Sequence, residues 1–287
     1  MKKFSVKALA IAVFAVVLAY PFTKPTTAPQ SEVAPSPDAM EKEDKQAIKI
    51  NQKKEHEKEQ PYTGKVPNFA QYKDVKQKKT AFFNYLRPVV ENQNQQILAQ
   101  RTQLLTLAEK LGLEEILTDQ EIQWLDDLAK QYRVRNIDSP MLQIQHLQKR
   151  VDVVPVELVL VQGANESAWG TSRFAREGLN LFGMWCYQKG CGMVPNSRTE
   201  GLTHEVASYE TLEETVAAYL RNLNTNNAYL VFRSIREQLR ASEQPLTAEI
   251  LATGLLPYSE RGSDYVLELT NMLRHNQAFF NGAETAP

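Results

Sequence analysis

Between Gly163 and Gly183 the sequence runs GANESAWGTSRFAREGLNLFG, and Glu166 stands there among small residues and aromatics. On a helix, steps of three and four link Val159, Gln162, Glu166 and Trp169 on one stripe, so the acid continues a semi-polar face and does not project into open water. Burial disfavours an ionised carboxyl and raises its pKa. A carboxyl beside an indole in a partly dry cleft keeps its proton near neutral pH and can act as a general acid. Around it Gly163, Ala164, Ser167, Ala168 and Gly170 remove bulk, which would let a ligand approach the backbone. The competing reading makes Glu166 a capping residue or an ion-pair partner of Arg173 or Arg176.

Other chemistries have less behind them. Ser167 is not on a nucleophile elbow, and His56, His146, His204 and His275 form no triad or metal spacing. No Gly-rich phosphate loop is present, and no cofactor is expected. The two cysteines, Cys186 and Cys191, flank YQKG at a spacing a hairpin can close. In an exported chain a disulfide is their expected state. A metal held by both cysteines and His204 would lack a fourth ligand, so no metal site is assigned. The 33 basic and 34 acidic residues nearly cancel, with no basic stripe interleaved with aromatics, which argues against nucleic acid as a partner.

Helices must position these groups. The 287 residues, 43% hydrophobic, can bury one sizeable core. AFFNYLRPVVENQNQQILAQRTQLLTLAEKLG has helical spacing, with a break expected at Pro88 and a stop at Gly112. Thr118 with Glu121 forms a capping box; Asp152 and Pro155 open the helix that carries Glu166. Thr211 with Glu214, Thr247 and Ser263 start three more helices. The segment from Phe182 to Glu210 lacks a helical stripe and predicts a small β-hairpin or β-lobe. The fold class is α+β, mainly helical.

The string ANESAWGTSRFAREGLNLFGMW resembles the motif of the bacterial glucosaminidase family, glycoside hydrolases of peptidoglycan glycan strands. Glu166-Ser167, Trp169-Gly170, Ser172 and Asn180-Leu181-Phe182-Gly183 carry the match. VASYETLEETVAAYLRNL and LPYSERGSDYVLELTNML are similar to its later segments, and with the helical extension and the N-terminal run before them the whole chain most resembles the Bax-type members. The resemblance implies a lysozyme-like domain over residues 140–282, preceded by a helical extension over 66–139, with Glu166 as general acid. Family members often carry a second acid in the β-lobe, and here Glu200 is preferred over Glu205. The carboxyl separation would be about 5 Å for a nucleophile and about 6.5–9.5 Å for a base acting through water. If neither acid serves, the substrate's own N-acetyl group is the remaining nucleophile. Tyr258 matches the family's tyrosine, with Ser259-Glu260 in place of Ala-Thr, and would hold the acetamido group or steady the oxocarbenium charge. Asn180, Phe182 and Trp169 complete the substrate-binding set. Asn180 and Phe182 shape the cleft floor, and Trp169 has a core position as its alternative.

The implied function is hydrolysis of peptidoglycan at N-acetylglucosamine. Its rivals are a muramidase or lytic transglycosylase on the same fold, the latter with Glu166 as both acid and base, and a non-catalytic peptidoglycan-binding envelope module. Residues 1–20 suit this setting: Lys2, Lys3 and Lys7 precede the apolar run Ala8–Ala19, the pattern of a signal peptide or an N-terminal membrane anchor. A charged, Pro-containing linker follows over 21–65. The expected location is exported, in the periplasm, either released or tethered to the inner membrane.

Overall fold

The computed structural model describes residues 66–195 and 203–280. The apolar N-terminal run, the linker and Glu200 lie outside the described residues.

Helix α1 (Val75–Gly112) begins where Asp74 accepts the Gln77 N–H at 2.7 Å and ends at Gly112, as its sequence predicts. The expected break at Pro88 is absent: the helix passes through it for 38 residues. Proline forfeits one backbone hydrogen bond, but Phe82, Phe83, Leu86, Val89 and Val90 on both sides of it are buried. Burying each such side chain is worth about 1.5–3 kcal/mol, so packing holds the helix together across the defect.

Helix α2 (Asp119–Gln131) opens on the predicted capping box, with Thr118 and Glu121 each bonding the other's backbone N–H. Helix α3 (Pro140–Arg150) is capped by Ser139. Helix α4 (Val156–Glu166) follows Pro155 and is buried on every side from Leu158 to Ala164. It is therefore the central helix of the fold rather than an amphipathic one. A Cβ at Gly163 would stand 2.8 Å from Leu86 Cδ2, so glycine lets α1 and α4 cross closely. Residues of the extension and of the C-terminal part share one apolar core.

After the short helix α5 (Arg173–Gly178) come three strands, β1 (Trp185–Cys186), β2 (Gly192–Met193) and β3 (Glu205–Ala207). β3 lies in the middle, antiparallel to both others, with Val206 opposite Trp185 on one side and Met193 on the other. The lobe is thus a three-stranded sheet, and β1 and β2 are its edges. The Cys186–Cys191 disulfide closes the loop between them. Glu205 is buried, and its two carboxylate oxygens accept the N–H groups of Gly190 at 3.0 Å and Gly192 at 2.9 Å, pinning the same loop.

Helices α6 (Leu212–Thr225), α7 (Leu230–Ala241), α8 (Ala248–Ala252), α9 (Ser263–His275) and α10 (Gln277–Phe280) complete the body. Thr211 caps α6 as predicted, whereas Thr247 makes no capping bond and Gly262 occupies the cap of α9. Asp152 does not cap α4. It is buried, accepts the Val153 N–H, and faces three arginines: Arg240 in a fork at 2.9 and 3.1 Å, Arg101 at 3.6 Å and Arg236 at 3.9 Å. Burial pushes its pKa up, but the Arg240 hydrogen bonds and the arginine charges outweigh burial and hold it below the usual carboxylate range. Among the described residues no helix is long and apolar enough to cross a membrane.

Candidate active site

Glu166 is the last residue of α4, and the chain turns away immediately after it. Ala168, Trp169 and Gly170 take φ of +52°, +61° and +74°, three consecutive left-handed residues. For a residue with a Cβ this conformation costs roughly 1–2 kcal/mol, and strain of this kind gathers at functional sites. Ser167 holds the turn, donating to Gly163 O at 2.5 Å and accepting from Gly170 N–H at 2.7 Å. The small residues of this turn serve packing rather than an open wall: a Cβ at Gly170 would collide with the Phe69 ring. The room beside the acid comes from Gly183. It is exposed, has φ +63°, and its notional Cβ would lie 3.5 Å from Glu166 Oε2.

Burial raises the Glu166 pKa. A hydrogen bond from Tyr265 works against burial, the Glu268 charge adds to it, and the Arg261 charge opposes it. Arg261 and Glu268 pair with each other at 2.6 Å. Neither Arg173 nor Arg176 forms an ion pair with Glu166 among the described residues; Arg173 instead donates to Val194 O.

A buried chain of side chains leads to the acid. The Tyr219 hydroxyl donates to Gln162 Oε1 and Gln162 Nε2 donates to the Tyr265 hydroxyl at 3.0 Å, while the Tyr265 phenol acts on the Glu166 carboxyl, lowering its pKa as a hydrogen-bond donor does. Each donor direction follows from the previous one. The Gln162 amide nitrogen can only donate, so the Tyr265 oxygen is its acceptor and the Tyr265 proton is left for Glu166. Gln162, Tyr219 and Tyr265 are all at most 2% exposed, so the chain is shielded from bulk solvent. Burial and the Glu166 charge raise the Tyr265 pKa, so the phenol remains a donor at neutral pH.

Tyr258 stacks on Tyr265, with centroids 5.5 Å apart and planes at 3°, and donates to Phe182 O at 2.7 Å. Phe182 is buried and stacks on Tyr219 at 4.1 Å. Asn180 is buried and fully bonded: it donates to Met184 O and Ala207 O, both at 2.8 Å, and accepts from the N–H groups of Phe182 and Met184. Both residues hold the loop whose tip is Gly183. Trp169 is half-buried, with its ring against Phe82 at 5.7 Å and Phe83 at 5.3 Å and the Lys79 ammonium 5.3 Å from its centroid. The sulfurs of Cys186 and Cys191 are bonded to each other, so neither is a free thiolate for a metal.

The sequence alone assigns no chemical role to Gln162, Tyr219 or Tyr265. A signal for Gln162 exists, since it is the one polar residue between Leu158 and Ala164 and lies four positions before Glu166. Trp185 is a further residue that sequence reasoning misses. It is 55% exposed, two residues beyond Gly183, and stacks on His204 at 4.2 Å with planes at 12°.

The family described as mannosyl-glycoprotein endo-beta-N-acetylglucosaminidase matches residues 142–278, which include α4 with Glu166, the β-lobe and α9 with Tyr265. "Protein bax" of Escherichia coli (strain K12) is 32% identical over 229 residues, covering 79% of this chain and 80% of that protein. No solved structure matches. By its motif, its mainly helical fold with a small sheet, and these similarities, the chain belongs to the glucosaminidase family, a family of glycosidases.

Proposed function

We propose that the chain is an endo-β-N-acetylglucosaminidase that cuts peptidoglycan glycan strands at N-acetylglucosamine, with Glu166 as the general acid. The observation that carries this reading is the setting of Glu166: a carboxyl at the end of a helix buried from Leu158 to Ala164, with its pKa raised by burial, the Tyr265 phenol acting on it, and glycine at its open side. In its protonated form, which burial favours, Glu166 gives its proton to the glycosidic oxygen as the C1–O bond breaks. The carboxylate left behind is the form that the Tyr265 hydrogen bond stabilises. Cleavage leaves an oxocarbenium-like sugar, which water attacks at C1, with the proton from that water passing to a base.

Glu200 is the proposed second carboxylate, and the substrate acetamide is the alternative. Glu205 is not offered, because its oxygens hold the β1–β2 loop. Tyr258 adjoins the acid through Tyr265 and is proposed to bear on the acetamido group. Asn180 and Phe182 are proposed to set the floor, and Trp169 the wall next to α4. The exposed face of Trp185 offers a stacking surface for a pyranose. An exported setting is part of the proposal, and the disulfide supports it because such bonds persist in oxidising compartments.

The test is digestion of purified peptidoglycan followed by mass spectrometry of the new ends. Reducing N-acetylglucosamine ends are expected. Reducing N-acetylmuramic acid ends would make the chain a muramidase, anhydro-muramic ends a transglycosylase, and an absence of new ends a binding module.

A further inference from the structure

A groove of about 850 Å³ opens beside the proposed acid, between the end of α4 and one face of α9. That volume is within the range of ligand sites. Asn165 and Ala168, on either side of Glu166, line it, and so do Arg261 and Glu268, whose charges act on Glu166. The groove therefore lies alongside the end of the helix that carries Glu166.

Its lining is charged with both signs. Arg261 and Glu268 satisfy each other, but the ammonium of Lys79 and the carboxylate of Asp264 have no ion-pair partner among the described residues. Lys79 is held in place by the rings of Trp169 and Phe279, at 5.3 and 5.9 Å from their centroids. The hydroxyls of a neutral glycan can hydrogen-bond to these two groups but cannot neutralise their charges. A short peptide with a free carboxylate and a free amine matches both.

We propose that this groove receives the peptide stems of the strand whose glycan is cut at Glu166, so that the protein selects peptide-bearing over bare strands. This rests on the peptidoglycan reading above. Lys79 takes a stem carboxylate, Asp264 a stem ammonium, and Asn271 on the same α9 face supplies a neutral amide for the peptide backbone. Trp169 then acts as the groove wall that fixes Lys79.

The test separates binding from cleavage. Full-length protein carrying Glu166→Gln is titrated calorimetrically with disaccharide-peptide fragments and with the peptide-free disaccharide whose lactyl carboxyl is capped as the methylamide, so that it carries no charge. Tighter binding of the peptide-bearing fragment is expected. Lys79→Met, which keeps a flexible apolar side chain against the rings but removes the ammonium, and Asp264→Asn should each weaken that binding by about two- to fivefold, the worth of an exposed ion pair, and leave the peptide-free disaccharide unchanged. Equal affinity for the two ligands, or equal losses for both in either variant, overturns the proposal. Cleavage is measured separately with Glu166 intact. If neither substrate is cut, the hydrolase reading fails while the binding comparison still decides what the groove recognises.

Discussion

Replacing Tyr265 with phenylalanine removes one oxygen from the buried chain behind Glu166 and leaves the ring stacked on Tyr258. The effect on rate comes from a difference between two states. In the resting enzyme the hydroxyl faces a neutral carboxyl, a bond worth about 0.5–1.5 kcal/mol; as Glu166 gives up its proton the same hydroxyl faces a carboxylate, worth about 1.5–3 kcal/mol. The increment of about 1–1.5 kcal/mol exists only as the charge develops, so it lowers the barrier. Its loss should reduce kcat about 5- to 13-fold and leave KM nearly unchanged. The pH dependence should move as well. The hydrogen bond opposes the effect of burial on Glu166, so without it the acid keeps its proton to higher pH. Activity that needs the protonated acid is lost as pH rises through its pKa, so the alkaline limb of kcat should shift upward. Stability should fall by about 1–3 kcal/mol, because Gln162 Nε2 is left buried without its acceptor. The assay is release of reducing ends from peptidoglycan across pH, with circular dichroism to verify the fold. A folded variant with kcat within about twofold of wild type and an unmoved alkaline limb would refute the role given to Tyr265.

Asp152→Ala should cost about 3–5 kcal/mol in urea unfolding, since it leaves the buried Arg236 uncompensated. The native pKa of Asp152 is depressed, so its stabilisation is present at neutral pH and is lost as pH falls from about 4 through the lower native value. The acid-induced loss in wild type should therefore exceed that in the variant. Replacing both Cys186 and Cys191 with serine should cost about 2 kcal/mol, read as faster hydrogen exchange at Glu205–Ala207 ahead of the helices; unchanged exchange in the lobe would contradict the loop account. Gly183→Val should lower activity far more than its strain of roughly 1–2 kcal/mol lowers stability. It puts a branched side chain over Glu166 Oε2, and a variant with normal turnover would show that the acid is approached from elsewhere.

Much of the fold was legible because local signals were strong. Thr118 with Glu121, Thr211 and the Gly112 stop acted where the sequence put them, as capping is decided within a few residues. Pro88 misled because its cost is local while its compensation, the burial of Leu86, Val89 and Val90 against other helices, is tertiary. The same reason hid the central position of α4: a run of apolar residues has no periodicity to show which neighbours surround it. Asp152 precedes a helix, as a cap would, yet its partners Arg236 and Arg240 are more than eighty residues away.

At the proposed site, the motif and the small residues around it single out Glu166, which the structure places at the end of α4 beside Gly183. The function of those small residues was not legible, because Gly163 and Gly170 make room for Leu86 and Phe69, which belong to distant segments. The relay from Tyr219 through Gln162 to Tyr265 joins residues up to 103 positions apart, so no spacing rule could assemble it. Trp185 was hidden by its Gly- and Cys-rich surroundings, and only its exposure and its stack on His204 mark it as a surface.

The central claim is that Glu166 supplies the proton for glycosidic cleavage. Its most direct test is the rate at which Glu166→Gln releases new ends from purified peptidoglycan, beside wild type and with thermal melting to confirm the fold. Gln keeps an acceptor for Tyr265 but has no proton to give, so a fall of about 10²- to 10⁴-fold in kcat is predicted. A folded Glu166→Gln protein that cuts the strand at a rate near wild type would contradict the account.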